Sequence, residues 1–231
     1  MIRKIILESS IDFPGKFGPV IFVSGCTFRC GFCHNAGLMS EEKDIDENDI
    51  IEKIKTKTKA GWYTGVCITG GEPTIHPELL DFIKKLKSLG LAVKLDTNGS
   101  NPELLKKILN SKLVDYVAMD IKGQKEDYEK IVRVKVDLEK IEESMKLVVQ
   151  FPKYEFRTTI LKKFHSSENI LKMVKWISQV IEKKPILFLQ GFSSRGDLLD
   201  PSFYQEPEVK EDYLLELKKI IDTECEIAKI R

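Results

Sequence analysis

The chain has 231 residues, 42% hydrophobic and 32% charged, as expected of a globular protein with one sizeable core. Its 37 Lys and Arg nearly cancel 36 Asp and Glu, so no basic field draws in phosphate backbones and nucleic acid is not expected as a partner. The N-terminus MIRKIILESSIDFPG lacks the long apolar centre and small-residue cleavage site of a secretion signal, and no apolar run reaches the span of a bilayer. A cytoplasmic protein without membrane contact is the expectation.

Apolar, strand-like runs occur at residues 20–24, 65–69, 91–95, 114–121, 154–161 and 185–190. They are rich in Val, Ile and Leu rather than strictly alternating, the pattern of parallel strands covered by helices. Helical patterns lie between them. Pro77 opens one with Leu79, Leu80, Phe82, Ile83 and Leu86 on one stripe, and Gly90 closes it. Asn101 and Pro102 read as cap and first residue of the next, and Ser166 or Ser167 as the cap of a longer one bearing Ile170, Met173, Val174 and Ile177. No repeat or Ser/Gly linker divides the chain, so residues 1–231 read as one domain. Six β-α units with right-handed crossovers predict an α/β fold with parallel strands, a partial (β/α)6 barrel of the TIM type. Catalytic groups of such folds gather at the C-terminal ends of the strands.

The five cysteines are at positions 26, 30, 33, 67 and 225. An odd count with three inside one loop does not suit a disulfide framework and points to metal or redox chemistry. Residues 25–35 read G-C-T-F-R-C-G-F-C-H-N, placing C-x3-C-x2-C directly after the first run. Three thiolates, from Cys26, Cys30 and Cys33, can hold three irons of a [4Fe–4S] cubane, leaving the fourth open to an exogenous chelator. The same thiols with His34 could instead make a Cys3His zinc site, although Cys33 and His34 would be awkward neighbours as co-ligands. Cys67 reads as a small core residue, and Cys225 has no assigned partner.

Further motifs sit at later strand ends. Residues 66–73 read V-C-I-T-G-G-E-P, where Gly70 and Gly71 allow close approach to the backbone. L-D-T-N-G ends at Gly99, and D-I-K spans Asp120 to Lys122; alone, each aspartate could be a turn cap.

On the cysteine loop, with aromatic Phe32 before its third cysteine, the chain resembles the radical S-adenosylmethionine superfamily. L-D-T-N-G and D-x-K resemble its glycyl-radical-enzyme activase branch, as do C-H-N at residues 33–35 and D-x-P-G at residues 12–15. The resemblance implies a [4Fe–4S] cluster whose open iron chelates S-adenosylmethionine, and reductive cleavage of that cofactor to methionine and a 5′-deoxyadenosyl radical. It implies cofactor binding by Phe32, His34, Gly70, Gly71 and Glu72, with the last three taking the methionyl amino group. Asp96 and Asp120 would hold a monovalent cation against the cofactor carboxylate, which Lys122 would meet directly. Arg157 stands where the family often places a basic residue. Asp12, Pro14 and Gly15 would help form the mouth that receives a target peptide, with residues 1–19 as an extension there. One departure is that residues 189–193 read L-Q-G-F-S, without the histidine that pyruvate formate-lyase activases tend to carry there.

The implied reaction is hydrogen abstraction from a glycine of a partner glycyl-radical enzyme, nearest the anaerobic ribonucleoside-triphosphate reductase system, with electrons from a flavodoxin or ferredoxin. Rival readings are a radical enzyme acting on a small molecule (as a deazapurine-forming synthase does), a plain iron–sulfur electron carrier, and a zinc-scaffold binding module. Replacing Cys26, Cys30 or Cys33 by Ala should lower iron content after anaerobic reconstitution with iron and sulfide. Cys67→Ala and Cys225→Ala should retain it. Undiminished iron in the Cys30 variant would overturn the ligand assignment.

Overall fold

The structure is a computed structural model describing residues 1–39 and 44–231. It contains one eight-stranded sheet whose strands lie in chain order. β1 (Ile2–Ser9), which the sequence reading did not assign, runs antiparallel to β2 (Gly18–Val23). Beyond it come β3 (Gly65–Gly70), β4 (Ala92–Thr97), β5 (Tyr116–Asp120), β6 (Tyr154–Ile160) and β7 (Ile186–Gly191), each parallel to its neighbour. These with β2 are the six expected runs. A second unassigned strand, β8 (Ile227–Ile230), extends the parallel run at the far edge.

The described α-helices are α1 (Glu47–Lys59), α2 (Leu79–Ser88), α3 (Pro102–Ser111), α4 (Tyr128–Val132), α5 (Leu138–Val148), α6 (Ser167–Ile181) and α7 (Glu211–Ile221). α3 and α6 start where expected: Asn101 accepts from the Leu104 amide at 3.2 Å and Ser166 from the Asn169 amide at 3.2 Å. α2 begins two residues after Pro77 without a side-chain cap, and Gly90, at φ +85°, ends it.

Strand patterning departs from the expected continuous apolar runs in a way that makes the site. Along β4 (A-V-K-L-D-T), Val93 and Leu95 are fully buried in the apolar core. The alternate residues Lys94 and Asp96 are buried as well, but they meet each other and Arg157 of β6. In β6 (Y-E-F-R-T-T-I), Phe156 and Ile160 are fully buried in the core, while Arg157 and Thr159 line a cavity with Asp96. Period-two alternation puts one residue set on each face. On β4 and β6 the helix-covered face is apolar and the inner face polar.

The antiparallel start moves the N-terminal loop from its expected position. Because β1 and β2 form a hairpin, their connection lies at the N-terminal end of β2. Ser9 pairs with Gly18, and Phe17 hydrogen-bonds Thr64 just before β3. The ring of Phe13, in that connection, is 6.0 Å from Tyr116 at the start of β5. Asp12, Pro14 and Gly15 therefore sit at the base of the barrel, not at its mouth, and only Asp12 reaches the main cavity.

At the other end of the strands the cysteine loop rests on the glycine pair. Gly71 donates to the Val23 carbonyl at 3.0 Å, and Glu72 donates to the Gly25 carbonyl at 2.8 Å. A Cβ at Gly71 would lie 1.6 Å from that Gly25 oxygen. Gly71→Ala should thus cost about 2–3 kcal/mol as the two loops are forced apart. Gly90→Ala, which meets no atom within 4 Å but has positive φ, should cost roughly 1 kcal/mol. Denaturant titration of the two apoproteins checks the order, and equal costs would refute the close-approach role.

Candidate active site

Cys26, Cys30 and Cys33 lie between β2 and α1 on a loop pinned by backbone hydrogen bonds. Gly25 donates to Leu38 at 2.9 Å, Arg29 to Val132 at the end of α4 at 2.9 Å, Leu199 to Cys33 at 3.1 Å and Asp200 to Gly31 at 3.0 Å. The Arg133–Asp200 ion pair at 2.6 Å fastens the same outer side. All five cysteines are free thiols. The three in the loop line a cavity of about 300 Å³ at the C-terminal ends of the strands. They spread around it: among the described residues no three His, Cys, Asp or Glu side chains could hold a single metal ion.

Hydrogen-bond donors already address two of the sulfurs. The amides of Phe28 and Asn35 lie 3.4 Å from Cys26 Sγ and Cys33 Sγ, and Asn98 Nδ2 lies 3.7 Å from Cys26 Sγ. Burial pushes the Cys26 thiol up, and the Cys30 thiol up to about 11. Cys67 is buried with its sulfur 3.7 Å from Lys94 Nζ, and Cys225 is buried in the core; neither lines the cavity.

Of the expected binding residues, Phe32, His34, Gly70, Gly71, Asp96, Asp120 and Lys122 all line this one cavity. His34 Nε2 donates to the Ser193 carbonyl at 2.6 Å, tying the cysteine loop to the segment after β7. Glu72 does not line it. Its carboxylate is fully buried and accepts four hydrogen bonds, from the Thr74 amide and hydroxyl, the Thr97 hydroxyl and the Asn98 amide. Burial raises its pKa, against those donors. The side chain is a tie between the ends of β3 and β4.

Lys94, Asp96, Asp120, Lys122 and Arg157 form one chain of ion pairs across β4, β5 and β6. Lys94 pairs with Asp96 Oδ1, and Arg157 Nη1 donates to Asp96 Oδ2 at 3.1 Å. Arg157 Nε donates to Asp120 Oδ1 at 2.9 Å, and Lys122 Nζ to Asp120 Oδ2 at 3.2 Å. All four carboxylate oxygens are engaged. Burial would raise both acids, but Arg157 and Lys94 hold Asp96 below the usual range, and Arg157 with Lys122 holds Asp120 at about 2. The sequence reading missed Lys94. Its signal was a lysine two residues before Asp96, inside the otherwise apolar run at residues 91–95.

His165 supports this chain from behind. Its Nδ1 accepts from the Leu161 amide at 3.0 Å, so Nε2 carries the proton and donates to the Lys122 carbonyl at 3.0 Å.

A sequential, mostly parallel sheet, with a thiol-lined cavity at its strand ends beside a buried cationic chain, defines an α/β-barrel enzyme built around an iron–sulfur cofactor. The family model of the radical SAM superfamily matches residues 20–177. This chain belongs to that superfamily, and it uses a [4Fe–4S] cluster and S-adenosylmethionine. A Methanocaldococcus jannaschii protein named for glycyl-radical enzyme activation is 31% identical over 226 residues, 95% of this chain and 91% of its own length. The 7-carboxy-7-deazaguanine synthase of Thermoplasma acidophilum is 33% identical over 95 residues, 39% of this chain and 44% of its own. The solved structure of TYW1 with a lysine–pyruvate adduct shares the fold, with a TM-score of 0.65 at 20% identity over 90% of this chain and 73% of its own.

Burial holds the His165 imidazole down at about 4, against an ordinary 6.5. Between those values the unfolded chain binds a proton that the folded one refuses, so this residue's contribution is whole above the upper value and drains away as pH falls toward the lower. The loss amounts to roughly 3 kcal/mol. His165→Gln should remove that part of the apoprotein's acid sensitivity, as read by denaturant titration at several pH values. An unchanged slope would refute the neutral buried assignment.

Proposed function

We propose that this protein installs a glycyl radical on a partner enzyme, an anaerobic ribonucleoside-triphosphate reductase. Cys26, Cys30 and Cys33 would hold the cluster through three of its irons. Their fit rests on three free thiols spread round one cavity, with N–H donors already beside two of them. When bound with S-adenosylmethionine and reduced by an external one-electron donor, the cluster would supply the electron for reductive cleavage of that cofactor, and so the radical chemistry needed to abstract the glycine hydrogen.

The chain's own part is binding and orientation. Gly70 and Gly71 would offer backbone to the methionyl amino group, and Lys122 and Arg157 charge-assisted N–H donors to its carboxylate. Phe32, only 4% exposed and packed on Phe203, would shield the thiols from water. His34 is exposed, so a flavodoxin or ferredoxin could approach the cluster loop from that side.

The observation that carries the activase reading is the near end-to-end relationship with the relative named for that activity, where the deazaguanine synthase match spans a minority of the chain. The open cleft would bind a glycine loop by shape, the wider partner surface supplying affinity. Reduced enzyme, S-adenosylmethionine and a co-occurring glycyl-radical enzyme, mixed anaerobically, should yield a glycyl doublet by electron paramagnetic resonance, lost when the partner's glycine becomes alanine. Cofactor cleavage with no radical on such a partner, together with turnover of a small metabolite, would replace this reading by the small-molecule one.

A further inference from the structure

The sequence resemblance implies a monovalent cation between Asp96 and Asp120, and the site does not fit one. Asp96 Oδ1 meets Lys94, Oδ2 meets Arg157, and the two oxygens of Asp120 meet Arg157 and Lys122. Three cationic side chains already face two carboxylates, so this chain carries one excess positive charge. A free cation entering it would raise that excess to two, beside three tethered cations.

Lys94 is the unusual member. It is fully buried, where an unpaired lysine is hardly tolerated, and its register neighbours are Cys67 on β3 and Tyr116 on β5. Its Nζ lies 3.7 Å from Cys67 Sγ and 5.9 Å from the Tyr116 ring centroid. Neither group neutralises it, so Asp96 is its anionic partner. An ammonium group is itself a monovalent cation, and attachment to β4 gives it a high effective concentration beside Asp96. Arg157 spans the remaining gap by touching both acids.

We propose that Lys94, with Arg157, takes the place of the monovalent cation, making the receptor for the S-adenosylmethionine carboxylate independent of potassium and sodium. The role is one of positioning: Lys94 fixes Asp96, Asp96 and Asp120 hold Arg157 between them, and the outward N–H groups of Arg157 and Lys122 stay aimed at the cavity. This rests on the cofactor reading above and is independent of the partner enzyme.

The test needs no radical transfer. S-adenosylmethionine binding to the cluster-loaded protein is measured calorimetrically in potassium, sodium and tetramethylammonium chloride at equal ionic strength. The wild type should bind equally in all three, and an affinity lower by about tenfold or more in tetramethylammonium would overturn the proposal. Lys94→Met keeps the length of the stem and removes the charge. It should bind weakly in tetramethylammonium and recover about tenfold or more in potassium or sodium. The melting temperature of its apoprotein should likewise rise with potassium, where the wild type does not respond. A variant that folds and binds the cofactor like the wild type in every salt would also overturn the proposal. Should the variant fail to fold, the wild-type comparison still decides.

Discussion

A guanidinium held between two carboxylates is the contact on which the site depends. Arg157 reaches Asp120 in register on the neighbouring strand and Asp96 one strand further on. Moving a charge out of water costs several kcal/mol even after relaxation, and removing one partner of a buried pair costs about 3–5 kcal/mol. Such a chain is tolerable only when complete, and here every carboxylate oxygen has a partner. Completeness in turn demands strand register. A one-residue slip of β4 or β6 would turn Lys94, Asp96 and Arg157 into the helix layer and bring Leu95 and Phe156 inward.

The cysteine loop is coupled to this chain through backbone contacts and through short side-chain ties. Gly71 and Glu72 hold the loop at Val23 and Gly25, and the Glu72 carboxylate grips Thr97 and Asn98, directly after Asp96. Three consecutive strand ends are thus locked together, and the distance from the thiols to the carboxylate receptor is set by short hydrogen bonds. The segment at residues 197–203 closes the outer side through Arg133, Asp200 and Phe203. Such ties hold the cofactor-binding groups in fixed relation, and orientation supplies much of an enzyme's rate.

The base of the barrel serves a different purpose. The β1–β2 hairpin connection brings Phe13 under Tyr116, and Arg231 forms a double ion pair with the fully buried Glu155, whose other contact is the Tyr116 hydroxyl. These contacts pack the end opposite the site. Asp12 is the one residue of the hairpin connection that lines the main cavity.

By itself, the sequence determined the features carried by contiguous residues. The C-x3-C-x2-C loop, the Gly-Gly-Glu turn, the caps at Asn101 and Ser166 and the six parallel runs depend on spacing within a few residues, and the structure has each where it was expected. Tertiary structure decided what hangs on register between distant segments. Glu72 became a tie because Thr97 and Asn98 end up beside it, and residues 12–15 went to the base because β1 turned out antiparallel. β1 was missed because its apolar residues fall on both faces of a strand half open to solvent. Lys94, read alone, was one lysine in an apolar run. Only the pairing of β3, β4, β5 and β6 buries it and completes the charge chain, since a buried ion is defined by the neighbours that neutralise it, and Asp96, which Lys94 and Arg157 share, lies 61 residues from the arginine.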